Sequence, residues 1–275
     1  MHTHNPDIVY IHSGLFITNN IPYMKARIIT LGTSHGDPTF CRFNSSTLFD
    51  IDGALYLIDA GAPANALMIR KGYHINDLKA VFVTHTHEDH IGGLPGIIKS
   101  LIKYPEVGQH TDIFMPEDEA NKALIGWMHC MHRFWAEDLL SFKVAQAGEV
   151  YRDDKVQVLA LATKHLENED NAFPSYAYEL NIADKKVFYT GDLKFDFSDF
   201  PEKALKEESD LCICECTHFD MNVARNVLTN CPTKRMIFNH VGDMWHGDGE
   251  AALKEIIDAL PFPCAIAHDG NEFEI

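Results

Sequence analysis

Six consecutive residues, His85-Thr86-His87-Glu88-Asp89-His90, restrict what this chain can become. Three imidazoles and two carboxylates in so short a stretch cannot all enter a hydrophobic core, because each buried polar group needs a partner. A divalent metal ion satisfies several of them at once. The apolar run Ala80-Val81-Phe82-Val83 precedes the cluster and Ile91-Gly92-Gly93-Leu94 follows it. That context places the six residues on a loop between a buried strand and a helix. His85 and His87, two apart, point the same way in an extended stretch and can share one ion. Asp89 and His90 come where the chain turns into the helix and can reach a second.

Each ion needs further ligands, and the rest of the chain offers them at matching places. β-Branched and aromatic runs with Gly/Asp punctuation predict strands at 27–31, 46–51, 54–58, 80–84, 112–115, 156–163, 175–182, 186–190, 210–214, 235–239, 264–267 and 272–275. Asp52-Gly53 reads as a hairpin turn between two of them. Helical patterns cover 63–71, 94–102, 118–134, 202–207, 222–228 and 250–259. This alternation predicts a mixed α/β sandwich with helices outside the sheets. Several strands end in an acid or a histidine: Asp59, the hexapeptide itself, His165, Asp192, His240 and His268. A sheet can hold such residues rigidly around one crevice, and their types suit a borderline metal. His165 and His240 are candidate ligands and Asp192 the natural carboxylate bridge. Two ions a few ångströms apart would then hold a hydroxide between them.

The 275 residues show no long linker, which predicts a single domain over 1–275, with 1–25 as an N-terminal extension. The stretch 103–150 is the least regular. Its Trp127, His129, Cys130, His132, Phe134 and Trp135 read as an amphipathic helix packed by aromatics, or more sharply as a helical, lid-like segment over the site. The net charge of −17 disfavours broad binding to nucleic acid. No run approaches the roughly 20 apolar residues that span a bilayer. The N-terminus lacks the pattern of a signal peptide, and His2 and His4 read as solvated. Cys212, Cys214 and Cys216 alternate along a strand and share a face. They read as small buried apolar groups rather than a soft-metal site, and reduced thiols suit the cytoplasm.

The run His85–His90 resembles the signature of the metallo-β-lactamase superfamily. The other ligand motifs of that family follow in order at His165, Gly191-Asp192 and His240, and Asp59-Ala60-Gly61 resembles its structural aspartate turn. Leu31-Gly32-Thr33-Ser34-His35-Gly36-Asp37-Pro38-Thr39, with Arg42 and Ser45-Ser46, is similar to the opening of the ribonuclease Z-like branch. Ala267-His268-Asp269-Gly270-Asn271-Glu272-Phe273-Glu274-Ile275 is similar to its ending. The resemblance implies an αββα sandwich of two mixed β-sheets with external helices. It also implies two divalent ions, zinc before manganese or iron. His85, His87 and His165 would hold the first ion, Asp89, His90 and His240 the second, and Asp192 would bridge. His268 rivals His240 as the last ligand. Asp59 would hydrogen-bond a ligand histidine.

The branch also carries His-Glu-Ala-Thr on the strand after its bridging aspartate, where this chain reads Cys214-Glu215-Cys216-Thr217-His218. The exchanged histidine, the lack of a Gly-rich basic insertion and the acidic charge point away from tRNA. They favour a small or cyclic phosphodiester. Asp89 is the candidate acceptor of the water proton and His218 the candidate leaving-group acid. His246, in the Gly-rich stretch 241–249, is a candidate substrate contact. Carboxylic ester, lactone or thioester hydrolysis is the alternative, and a non-catalytic metal-binding or di-iron redox protein the alternative of another class. Oligomeric state is open, a homodimer included.

Overall fold

The computed structural model describes residues 24–275. Most of the expected N-terminal extension, His2 and His4 included, lies outside the described residues. The chain first lays down β1 (Ala26–Gly32), β2 (Ser46–Ile51), β3 (Ala54–Ile58), β4 (Leu78–Phe82), β5 (Thr111–Met115) and β6 (Leu140–Val144). It then builds β7 (Gly148–Arg152), β8 (Val156–Ala162), β9 (Tyr176–Ile182), β10 (Lys185–Tyr189), β11 (Leu211–Cys216), β12 (Met236–Val241) and β13 (Cys264–Ile266). It returns to the first sheet with β14 (Asn271–Glu274). The sheets have seven strands each, ordered β14-β1-β2-β3-β4-β5-β6 and β13-β12-β11-β10-β9-β8-β7.

Both sheets share one plan. Three antiparallel pairings, β14-β1-β2-β3 in one and β7-β8-β9-β10 in the other, are followed by three parallel ones, β3 to β6 and β10 to β13. Parallel strands end together, and the carboxyl ends of such strands are where ligands collect. The hairpin of β2 and β3 turns on Asp52 and Gly53, both at positive φ, 47° and 81°, as a two-residue turn between twisted strands requires.

Side-chain alternation sorts the core into layers. Along β3, Ala54, Tyr56 and Ile58 pack between the sheets with Val158, Tyr178 and Ile213. Leu55 and Leu57 face α1 (Ala64–Arg70) and α3 (Leu94–Lys103). Along α3 the buried residues Leu94, Ile97, Ile98 and Leu101 recur at helical spacing. On the other side Cys212, Cys214 and Cys216 of β11 lie under α5 (Glu202–Lys206), α6 (Met221–Leu228) and α7 (Gly249–Ile257), with Leu228, Leu253 and Ile257. The four layers are helix, sheet, sheet, helix. The cysteine trio is apolar filling, and among the described residues no metal-capable cluster contains a cysteine. Among the same residues no helix is long and apolar enough to cross a membrane.

The expectation for 103–150 needs correction. Rather than a helical lid, this stretch holds β5, α4 (Asp118–Cys130) and β6, and β7 begins within it. β6 and β7 are short, half-exposed strands that terminate their sheets. With no face fully buried, they carry little periodic signal. The predicted helix 118–134 stops at Cys130. His132 takes φ 57°, its N–H bonds the carbonyl of His129, and the Arg133 N–H bonds that of Met128. This is the Schellman ending. His129 then packs on Phe134, with ring centres 5.0 Å apart, and does not share a pocket with the exposed His132.

The sheets are joined at one edge. Backbone Tyr176 N donates to Thr84 O at 2.9 Å and Val241 N to Thr33 O at 2.8 Å. Gly191 lies at this seam with φ +59°, and a Cβ there would stand 2.8 Å from the Tyr176 carbonyl and 3.0 Å from Thr84. Both the conformation and the space demand glycine. Gly191→Ala is expected to destabilise the fold by about 2 kcal/mol or more, read as a lower urea midpoint at unchanged slope.

Candidate metal centre

The strand ends deliver the polar residues to this seam. His85 follows β4 by three residues, and Asp89 and His90 occupy the single turn α2 (Glu88–Ile91). Asp192 follows β10, and His240 is the penultimate residue of β12. Asp59 and His240 both take left-handed backbone, φ 57° and 47°. Such strain in non-glycine residues persists only where surrounding contacts enforce it.

Two donor sets result, overlapped by a third group of Asp192, His218 and His240. His85 Nε2 lies 3.0 Å from His87 Nδ1, which lies 3.4 Å from His165 Nε2. Asp192 Oδ2 stands 3.6 Å from His85 Nε2 and 3.7 Å from His165 Nε2. In the second set, Asp89 Oδ2 is 3.1 Å from His240 Nε2 and 3.2 Å from His90 Nε2, and the two imidazole nitrogens are 3.2 Å apart. Asp192 Oδ2 is 3.4 Å from His90 Nε2 as well, so one carboxylate oxygen faces both sets. Ligand atoms on a tetrahedral zinc ion stand about 3.3 Å from one another, close to these spacings. The first set opens to solvent at His87, and the second is buried.

The surroundings decide which nitrogen faces inward. His90 Nδ1 is 2.8 Å from Asp59 Oδ2, and His165 Nδ1 is 3.2 Å from the Leu193 carbonyl. Thr84 donates its hydroxyl to Asp59 and can accept from His85 Nδ1 at 3.0 Å. Thr217 donates to the His240 carbonyl and can accept from His240 Nδ1 at 3.1 Å. Each Nδ1–H thus has an acceptor, which turns the Nε2 of His85, His90, His165 and His240 toward the centre. His87 offers Nδ1 instead. Converging lone pairs repel unless a cation lies among them, so the donor atoms fit a divalent metal. Thr84 and Thr217 are supports the sequence reading missed. A signal existed, since each stands within three residues of an expected ligand or acid. Replacing Asp59 with alanine frees the His90 ring and Thr84 together. Metal affinity is expected to fall about 10- to 100-fold, measured by competition with a chromophoric chelator.

Electrostatics agree. Burial, then the neighbouring His90, keeps the His85 imidazole well below its usual pKa and therefore neutral. Burial opposes ionisation of Asp192, but His240, His90 and His85 outweigh it and hold the carboxyl well below the usual range. Against the cost of burial, Asp192 and Asp59 hold the His90 imidazole well above its usual range.

The remaining candidates fall as follows. His268 is outside the cluster: its Nε2 is 3.1 Å from Glu250 and its Nδ1 3.3 Å from the buried Arg42. Arg42 also donates to Thr33 Oγ1 at 2.6 Å, so this corner braces the C-terminal segment. His218 stands at the mouth, Nε2 3.8 Å from Asp192 Oδ2, with Nδ1 3.0 Å from both Glu215 oxygens. Burial pulls its pKa down, but the hydrogen bond and charge of Glu215 outweigh that and raise it to about 9. Glu215 also accepts the backbone N–H groups of Leu193, Thr217 and His218. Cys214 packs in the layer under the helices, so its exchange for histidine carries no weight at the centre. His246 gives Nε2 to the Val241 carbonyl at 2.8 Å. Thr86 and Glu88 line a separate cleft of about 580 Å³ with Ile91, Met115, Ala120 and Leu124. The first turns of α4 border that cleft, not Trp127–Trp135.

Comparisons with known proteins agree with the architecture. A family model described as anti-Pycsar protein Apyc1 matches residues 26–234. Ribonuclease BN of Enterobacter sp. (strain 638) is 30% identical over 167 residues, covering 58% of this chain and 50% of that protein. The chain spans about half the length of the first curated relatives it matches. The metallo-β-lactamase fold protein YhfI from Bacillus subtilis superposes with a TM-score of 0.73 at 18% identity, over 91% of this chain and 100% of that one. The short form of human tRNase Z gives 0.70 at 18% identity, over 90% and 98%. These likenesses establish the metallo-β-lactamase fold.

Proposed function

The chain belongs to the anti-Pycsar protein Apyc1 family, on the metallo-β-lactamase fold, and from that premise we propose that it is a metal-dependent hydrolase of small or cyclic phosphodiesters. The observation that carries this reading is the convergence of five imidazoles and two carboxylates, His85, His87, His165, His90, His240, Asp89 and Asp192, in two sets that share Asp192. Bound there, two divalent ions, zinc foremost, would supply an acidified water and positive charge for the phosphoryl oxygens. The ribonuclease names among the relatives favour phosphorus–oxygen chemistry. The net charge of −17 favours a small substrate over a polyanion.

The chain's own residues do the rest. Asp89, ionised and bonded to His90 and His240, accepts the proton of the attacking water. His218 gives a proton to the leaving oxygen. Glu215 fixes its Nδ1 side, and its Nε2 faces the open mouth beside Asp192. His218→Ala is expected to lower kcat by about 10²- to 10³-fold while metal content stays at the wild-type value; loss of an ion would instead make His218 a ligand.

The substrate class is tested by hydrolysis of bis(p-nitrophenyl) phosphate and cyclic mononucleotides beside an ester and lactone panel and a precursor tRNA. Metal is added back after chelation. Metal-dependent turnover of the small diesters is expected. Strong acyl or tRNA turnover without diester turnover contradicts the reading.

A further inference from the structure

The layer between the sheets is apolar until it nears the metal centre. There Ile213 gives way two residues on to Glu215, and Ile237 to Asn239. These two polar residues are cross-strand neighbours in β11 and β12. Asn239 is 2% exposed, and its Nδ2 donates across to Thr47 Oγ1 of β2 at 3.1 Å. It thereby ties the sheet that carries Asp192 and His240 to the sheet that leads to His85.

Beside it is a small void of about 10 Å³, lined by Tyr189, Asp192, Ile213, Glu215, Asn239 and His240 among others. That is about the space one water molecule needs. Two buried side-chain oxygens of its lining residues have no hydrogen-bond partner, Asn239 Oδ1 and Asp192 Oδ1, the second of which stands 3.5 Å from His240 Nε2. Buried acceptors left unpaired cost stability, and a water carries two protons to give. If the Asn239 amide is turned over, its NH₂ meets the same water and the link survives.

We propose that Asn239 is a positioning residue, which holds the Asp192 carboxylate through one buried water in this void. The bond to Oδ1 sets the carboxylate plane, so that Oδ2 faces the nitrogens of His85, His90 and His165. Thr47 anchors the far side of the amide. The proposal rests on the reading of Asp192 as the ligand shared by two ions. It adds a further support of that centre, beside Asp59, Thr84 and Thr217, drawn from the backbone position just before a ligand.

The experiment compares Asn239→Leu, which keeps the volume and loses the polar ends, with Asn239→Ser, whose hydroxyl leaves room for water and can bond it. Zinc affinity is measured by chelator competition, and the cobalt-loaded proteins are compared by visible spectra, at a temperature where each is folded. Asn239→Leu is expected to weaken zinc about 10- to 100-fold and to alter the cobalt spectrum. Asn239→Ser is expected to recover most of both. Wild-type affinity and spectrum in Asn239→Leu, or a serine variant no better than leucine, overturns the proposal. A high-resolution crystal structure of the wild-type chain keeps the test open if the leucine variant does not fold, since a dry void also overturns it. A wild-type chain that binds no metal is a different failure: it removes the shared-ligand reading itself, and this proposal with it.

Discussion

Asp192→Asn is expected to lower diester hydrolysis by about a thousandfold or more, with the circular dichroism spectrum unchanged. The first donor set contains three imidazoles and one carboxylate, that of Asp192. The second contains Asp89 and shares the same Asp192 oxygen, 3.4 Å from His90 Nε2. An amide of the same shape removes the only charge common to both and turns either a weak oxygen or an N–H toward the centre. The loss of ion positioning and of charge stabilisation amounts to roughly 4 kcal/mol of barrier, each 1.4 kcal/mol being tenfold in rate. The fold should persist, because Asp192 lies at the end of the sheet, beyond the apolar layers that hold it together. Steady-state kinetics on a chromogenic diester check the prediction. Near wild-type turnover in this variant would remove Asp192 from the site.

Chelation is expected to have the second largest effect, on stability as well as activity. Stripped of metal, the centre keeps five inward-facing imidazoles in two clusters, with donor contacts of 3.0 to 3.4 Å. Activity should fall to background and the thermal midpoint should drop. Adding zinc back to a free concentration about 100 times its Kd should restore roughly 2.7 kcal/mol for each site filled, if the unfolded chain does not bind it. Calorimetric scans over a zinc series check this. A midpoint indifferent to metal would mean that the imidazoles are held apart by the fold alone.

Much of the architecture was legible because burial left clear patterns. β2 and β3 fall where the alternation and the Asp52-Gly53 turn put them, since a two-residue turn leaves the register no freedom. β6 and β7 were not legible. They are half-exposed edge strands, and their order comes from pairing with β5 and β8 rather than from their own residues. The clustered residues were found because imidazole and carboxylate side chains at strand ends have few other uses. The choice between His240 and His268 could not be made locally, as both follow late strands. In the fold His240 lies in the cluster, while Arg42, 226 positions away, holds His268 outside it. Asn239 was invisible for the same reason, since its meaning lies in Thr47 and Asp192, neither near it in the chain. The weight first placed on Cys214 was misplaced, because the alternation along β11 puts that position under the helices.

The most direct test of a two-ion centre is the metal stoichiometry of the native chain, read by native mass spectrometry after dialysis against zinc. Two ions per chain, with fewer retained by Asp192→Asn, is the result expected from one carboxylate shared between two donor sets. A single ion or none in the wild-type chain, or two ions held equally well without the Asp192 carboxylate, would contradict it.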